Sequence, residues 1–178
     1  SLTKTGELTE KFVRNLPFSL THAQQEVIAE IRQDMGRTFP MQRLLQGDVG
    51  SGKTVVAAIA ALQAIDNGFQ VAMMAPTEIL AEQHFQRLSG WMEPLGLSVA
   101  WISGSMKKKE KDAALSMIQA GQTQFVIGTH ALIQDTVRFA NLGLVIVDEQ
   151  HRFGVGQRLV LRNKGDIHAF VPHQLMMS

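Results

Sequence analysis

A short loop narrows the possible folds more than anything else in this chain. Gly47-Asp48-Val49-Gly50-Ser51-Gly52-Lys53-Thr54 satisfies the pattern G-x-x-x-x-G-K-[ST]. Each residue type has a physical reason to be there. The glycines let the backbone wrap tightly, so that successive N–H groups face inward and cradle phosphate oxygens. A helix expected directly after the loop aims its N-terminus, equivalent to about half a positive charge, at the same point. Lys53 adds an ammonium for the β- and γ-phosphates, and the Thr54 hydroxyl is a candidate Mg²⁺ ligand. Such a match arises by accident in on the order of one in a few hundred chains of this length. Its context is also right, because apolar Leu44-Leu45 precede it and an alanine-rich helical run, residues 55–65, follows it. The expected ligand is ATP with Mg²⁺.

Around the loop, short apolar runs alternate with longer helical stretches. Strands are expected at Arg43–Gln46, Gln70–Ala75, Ser98–Ser103, Gln124–Gly128 and Gly143–Asp148. Helices are expected at about 53–66, 77–92 and 107–120, with Asn67-Gly68 and Gly121 at their C-caps. This alternation predicts an α/β fold whose sheet is mostly parallel, with helices on both faces. Right-handed crossovers place the strand C-terminal ends on one ligand-binding edge. Residues 1–40 read as a helical lead-in and 41–178 as the nucleotide-binding lobe. Within the lead-in, 7–15 and about 21–35 are helical, separated by Leu16-Pro17-Phe18. Ala23, Val27, Ile31 and Met35 recur every four residues and predict one apolar stripe.

Composition sets the outer limits. Of 178 residues, 45% are hydrophobic and 19% charged, which is globular. The net charge of +1 leaves any nucleic-acid contact to a local patch or to backbone amides. Without cysteines there is neither a disulfide framework nor a thiolate metal site. The six histidines show no metal-ligand spacing on a common helix turn. No apolar run spans a bilayer, and the polar start lacks a signal peptide's apolar region. The expectation is a soluble, cytoplasmic protein.

The second half of the site is expected at Val145-Ile146-Val147-Asp148-Glu149, an apolar strand that delivers two carboxylates to the ligand edge. Asp148 would hold Mg²⁺, mostly through water. Glu149 would orient or deprotonate the attacking water, so that phosphoryl transfer ends in hydrolysis. Asn163-Lys164-Gly165-Asp166 matches the guanine-reading N-K-x-D, but no D-x-x-G switch element accompanies it, and L-S-G-G-Q is also absent.

What remains is the box Asp148-Glu149-Gln150-His151. With the loop, it resembles the superfamily 2 helicases. Further segments fall in the expected order: Leu20-Thr21-x-Ala23-Gln24, the run from Ala75-Pro76-Thr77 to Gln83, Ser103-Gly104-Ser105, and Gly128-Thr129-His130-Ala131-Leu132-Ile133. GDVGSGKT, MAPTEILAEQH, GTHALIQ and DEQHRFGV together are similar to the RecG family of ATP-dependent helicases, which remodel stalled replication forks. The resemblance runs from about Leu16 to the last residue. It implies a RecA-like fold, ATP hydrolysis and forked or branched DNA as substrate. It also implies that the second RecA-like lobe, with its arginine finger, and an N-terminal wedge lie outside these residues, so that this chain alone would turn over ATP barely.

The resemblance assigns roles that compete with blander readings. Gln24 would read the adenine edge, or it completes a capping box with Thr21. Phe18 reads as an apolar plug after a proline, or as a platform for the base. Pro76, Thr77, Gly104, Thr129 and His130 would contact one DNA strand's phosphates, since hydroxyls and amides grip without reading sequence. Thr77 is equally an N-cap. The run Lys107, Lys108, Lys109, Lys111 reads as a solvated face, with DNA contact the lesser alternative. Trp91 and Trp101 read as packing residues. Arg152 reads as an ion-pair partner rather than a γ-phosphate sensor, and His151 would couple the ATP site to the next motif. Two other classes stay open on sequence alone: a non-helicase phosphate-loop ATPase or small-molecule kinase, and a silent nucleotide-sensing module.

Overall fold

The computed structural model describes residues 6–37, 40–46, 52–129, 132, 137–148 and 172–178. In chain order these form α1 (Glu7–Asn15), α2 (His22–Met35), β1 (Gln42–Leu45), α3 (Lys53–Asp66) and β2 (Gln70–Met74). Then follow α4 (Glu78–Met92) with a 3₁₀ turn at Glu93–Leu95, β3 (Val99–Ile102), α5 (Lys108–Gln119), β4 (Phe125–Gly128), β5 (Leu142–Asp148) and β6 (His173–Met177). The six strands make one sheet in the order β1-β6-β5-β2-β4-β3, and every neighbouring pair is parallel. All C-terminal strand ends therefore lie along one edge.

Alternate residues of the central strands feed two cores. Val71, Met73, Phe125, Ile127, Leu144 and Ile146 join the core that contains α3. Ala72, Met74, Val126, Val145 and Val147 face the other side, where Ile118 of α5 packs. This period of two is the pleat of a sheet covered on both faces. The α3 helix is buried at every position from Val55 to Ile65, as expected for a helix apolar all round. β5 is likewise buried along its whole length.

Two lead-in helices pack on α3. The first, α1, has no side-chain cap of its own. Asp66, at the far end of α3, supplies one: its carboxylate accepts from Leu8 N–H (3.4 Å), Thr9 N–H (3.2 Å) and the Thr9 hydroxyl (2.8 Å). Farther along α1, Phe12 meets Trp91 edge-on, with ring centroids 5.6 Å apart. The second helix, α2, is tied to β1 by Arg43, which bonds Asp34 at 2.8 Å and Glu30 at 3.1 Å. At the N-terminal end of the interior strand β2, buried Gln70 donates to the carbonyls of Ile118 (2.9 Å) and Thr123 (2.8 Å) and accepts from Asn141 N–H (2.9 Å).

Two expectations need correction. Ala23 is exposed, whereas Ile31 and Met35 are buried and Ile28 packs against the core. A strict four-residue repeat drifts about 40° per step on a helix of 3.6 residues per turn, so the stripe leaves the interface toward α2's N-terminus. The strand β6 was not anticipated. Its sequence, HQLMM, neither alternates nor favours β-structure, and pairing on both sides with β1 and β5 makes it a strand.

Candidate nucleotide site and phosphate-facing edge

Gly52 closes the loop and caps α3, with a left-handed φ of 82°. A side chain there would also run into Gln24 Nε2. Gln24 is held in place by the capping box of α2: its Oε1 accepts from Thr21 N–H (2.8 Å), and its own N–H donates to Thr21 Oγ1 (3.1 Å). The bland reading of Gln24 is thus realised, and its amide nitrogen still lies against the end of the loop. Phe18 is not a buried plug; it is 47% exposed and lines an open cleft of about 430 Å³ with Pro17, Leu20 and Gln25. Gly47, Asp48, Val49, Gly50 and Ser51 lie outside the described residues.

Lys53 and Asp148 reach the same part of the edge. The Lys53 ammonium donates to the Ser178 carbonyl at 2.6 Å, just past β6. Asp148 ends β5 in register with Met177 of β6. Thr54, the second residue of α3, is half-buried. Asp148 is nearly buried, and its Oδ2 accepts from His84 Nε2 of α4 at 2.7 Å. The buried Asp148 carboxylate and the Thr54 hydroxyl are both hard oxygen donors, the kind that suits Mg²⁺, which keeps several waters and takes phosphate oxygens. Glu149, His151 and Arg152 lie outside the described residues, as does the segment 163–166.

The other half of the edge, at β2, β4 and β3, gathers Thr77, Thr129 and Gly104. Thr77 caps α4, its Oγ1 accepting from Leu80 N–H at 3.2 Å. The carboxylate of Glu78 joins the three segments: its Oε1 accepts from Gly104 N–H (3.1 Å) and from the Thr129 hydroxyl (3.3 Å). Gly128 fits because a side chain there would meet the Ile102 carbonyl and Leu132. Pro76 is half-buried at the turn out of β2, and His130 lies outside the described residues. Trp101 packs on Phe85, with centroids 5.8 Å apart. Lys107, Lys108 and Lys109 are exposed and Lys111 half-buried at the start of α5.

Sequence reasoning missed His84 and Glu78. The signal for His84 was faint: with Ala81, Leu88 and Met92 it lies toward the inward side of α4, a polar residue on a mostly apolar face. Glu78 lies within the run from Ala75 to Gln83, but its role was not legible there, since its partners lie 26 and 51 residues away.

An all-parallel sheet whose strand C-terminal ends carry the buried carboxylate of Asp148, with Lys53 and Thr54 opening α3, is the framework of an α/β nucleotide-binding domain. The family model of the DEAD/DEAH box helicases matches residues 21–177, and the chain belongs to that family. It is similar to RecG helicases. It is 56% identical over 172 residues to the ATP-dependent DNA helicase RecG of Haemophilus influenzae, covering 97% of this chain and 25% of the relative. To that of Escherichia coli K12 it is 54% identical over 177 residues, covering 99% and 26%. The chain therefore spans about a quarter of the length of these relatives. A structure of RecG bound to a three-way DNA junction superposes with a TM-score of 0.86 at 49% identity, covering 98% of this chain and 23% of that one. An RNA helicase from Sulfolobus tokodaii shares the fold, with a TM-score of 0.61 at 22% identity. Family membership settles the choice left open by the sequence against a small-molecule kinase. Among the described residues, no helix is long and apolar enough to cross a membrane.

Proposed function

We propose that this chain is the ATP-binding motor lobe of a DNA helicase that acts on forked or branched DNA in the cytoplasm. The observation that carries the reading is the placement of Lys53 and Thr54, at the start of α3, on the side of the sheet where the buried Asp148 carboxylate ends β5.

In this reading residues 41–178 form the lobe, and the lead-in 1–40 supports it through α1 and α2. Residues Gly47, Asp48, Val49, Gly50, Ser51 and Gly52 would wrap the phosphates with their amides. Lys53 would neutralise the β- and γ-oxygens, and Gln24 would lie beside the base. Thr54 and Asp148 would hold Mg²⁺, which when bound draws charge from the phosphate oxygens. Glu149 would orient the water whose oxygen bonds to the γ-phosphorus as the bond to the ADP oxygen breaks. Pro76, Thr77, Gly104, Thr129 and His130 would grip one strand's phosphates without reading bases. The similarity to RecG structures and sequences supports the branched-DNA substrate. A second lobe and a wedge of the same longer chain would complete the machine.

The test uses the full-length protein. Lys53→Ala is expected to abolish ATP-dependent unwinding of a forked duplex while filter binding of fork over linear duplex persists. Unwinding that survives the substitution sinks the proposal.

A further inference from the structure

The bond between His84 and Asp148 joins two parts of the edge that the mechanism treats separately. The donor is on α4 and the acceptor ends β5, 64 residues later. The separation of 2.7 Å is short, and the side chains are only 13% and 4% exposed. A carboxylate oxygen accepts, so the Nε2–H donates, and a donor to a buried carboxylate is a strong, directional contact. Most of α4's inward face is apolar, so a buried polar side chain at 84 is there for its partner: an apolar one would take this donor from the buried Asp148 carboxylate.

The same helix begins at the phosphate-facing segments. Glu78, its first residue, accepts from Gly104 N–H and the Thr129 hydroxyl. Residue 84 follows six positions later, about 9 Å along the axis. Thus α4 is a strut of under two turns between Gly104 and Thr129 at one end and the Asp148 carboxylate at the other. A DNA phosphate that takes the Gly104 and Thr129 donors must compete with Glu78, and whatever shift α4 makes is passed to Asp148 through His84.

We infer that His84 is a positioning residue: it fixes the orientation of the Asp148 carboxylate, which would hold Mg²⁺, and makes that orientation depend on DNA. This rests on the ATP-site reading above. Partners that orient a metal-binding side chain typically contribute about 10–100-fold in metal affinity or activity.

The experiment uses the full-length protein with His84→Leu, His84→Gln and Lys53→Ala. Binding of N-methylanthraniloyl-ADP is titrated with and without Mg²⁺, each with and without a forked duplex, and ATP turnover is followed in parallel. His84→Leu is expected to lose about 10-fold of the affinity that Mg²⁺ adds, with Mg²⁺-free affinity and fork binding unchanged. The fork should no longer alter its nucleotide affinity. Glutamine, whose Nε2–H reaches a similar place, should restore most of the loss. The inference is overturned if His84→Leu matches wild type in both its Mg²⁺ gain and its response to DNA, or if glutamine fails as fully as leucine. Lys53→Ala separates the two layers. If it binds nucleotide and turns over ATP normally, the ATP-site reading fails; if it is inert while His84→Leu is normal, only the role of His84 does.

Discussion

Replacing Gly52 by alanine puts a methyl group where two constraints meet. The first is backbone: φ is 82°, and an L-residue in the left-handed region costs ~1 kcal/mol. The second is Gln24, whose Nε2 occupies the space a Cβ would need. The end of a glutamine moves easily, but this one is anchored through Oε1 to Thr21 N–H. Moving it breaks half of the capping box of α2, ~1 kcal/mol more. The total, ~2 kcal/mol, can appear in two places. If the loop keeps its conformation, the free protein loses stability. If the loop relaxes, nucleotide binding must restore it, and affinity falls by about 30-fold. Thermal melting and equilibrium titration with ADP, done on the same preparations, should together account for ~2 kcal/mol. A double-mutant cycle isolates the collision: Gln24→Ala should cost less in the Gly52→Ala background than in wild type. Wild-type melting and wild-type affinity in Gly52→Ala would refute the argument, and strict additivity of the two substitutions would refute the part played by Gln24.

Asp66→Ala should strip α1 of its borrowed cap and leave the buried Thr9 hydroxyl unpaired, costing ~2 kcal/mol. In a chain of this size that lowers Tm by about 4–8 °C by calorimetry; an unchanged Tm would show that α1 is held by Phe12 alone. Buried His173 accepts from Met41 N–H at 2.8 Å through Nδ1, and burial holds its pKa below the ordinary 6.5. The unfolded chain therefore takes up the proton first, so stability is full above pH 6.5 and is lost as the pH falls from 6.5 toward the lowered folded value. His173→Asn, which keeps an acceptor for Met41 but does not titrate there, should melt with a shallower dependence between pH 7 and 5. Parallel curves for the two proteins would remove His173 as the cause.

Much of this was legible in advance because it is local. The loop's glycines, the run 55–65 and the apolar strand ending at Asp148 each carry their own pattern, and α3 and β5 lie where those patterns place them. What escaped was relational. β6 is a strand because of its neighbours, not its composition. The stripe of α2 failed at Ala23 because a repeat of four is not the period of a helix. Glu78 and His84 act across 26 to 64 residues, and nothing in a linear motif says that a carboxylate opening one helix will collect donors from two other strand ends.

The unbroken burial of α3 assigns the moving parts of such a motor. A helix enclosed along eleven successive positions cannot tilt or slide without opening voids in its surroundings. On the ATP-site reading proposed above, the helix that follows the phosphate loop would stay fixed while nucleotide comes and goes. On the same reading, displacement would be carried by elements with a solvent-facing side, and among the described elements α4, outward-facing over much of its length, bonds both to Asp148 and to Gly104.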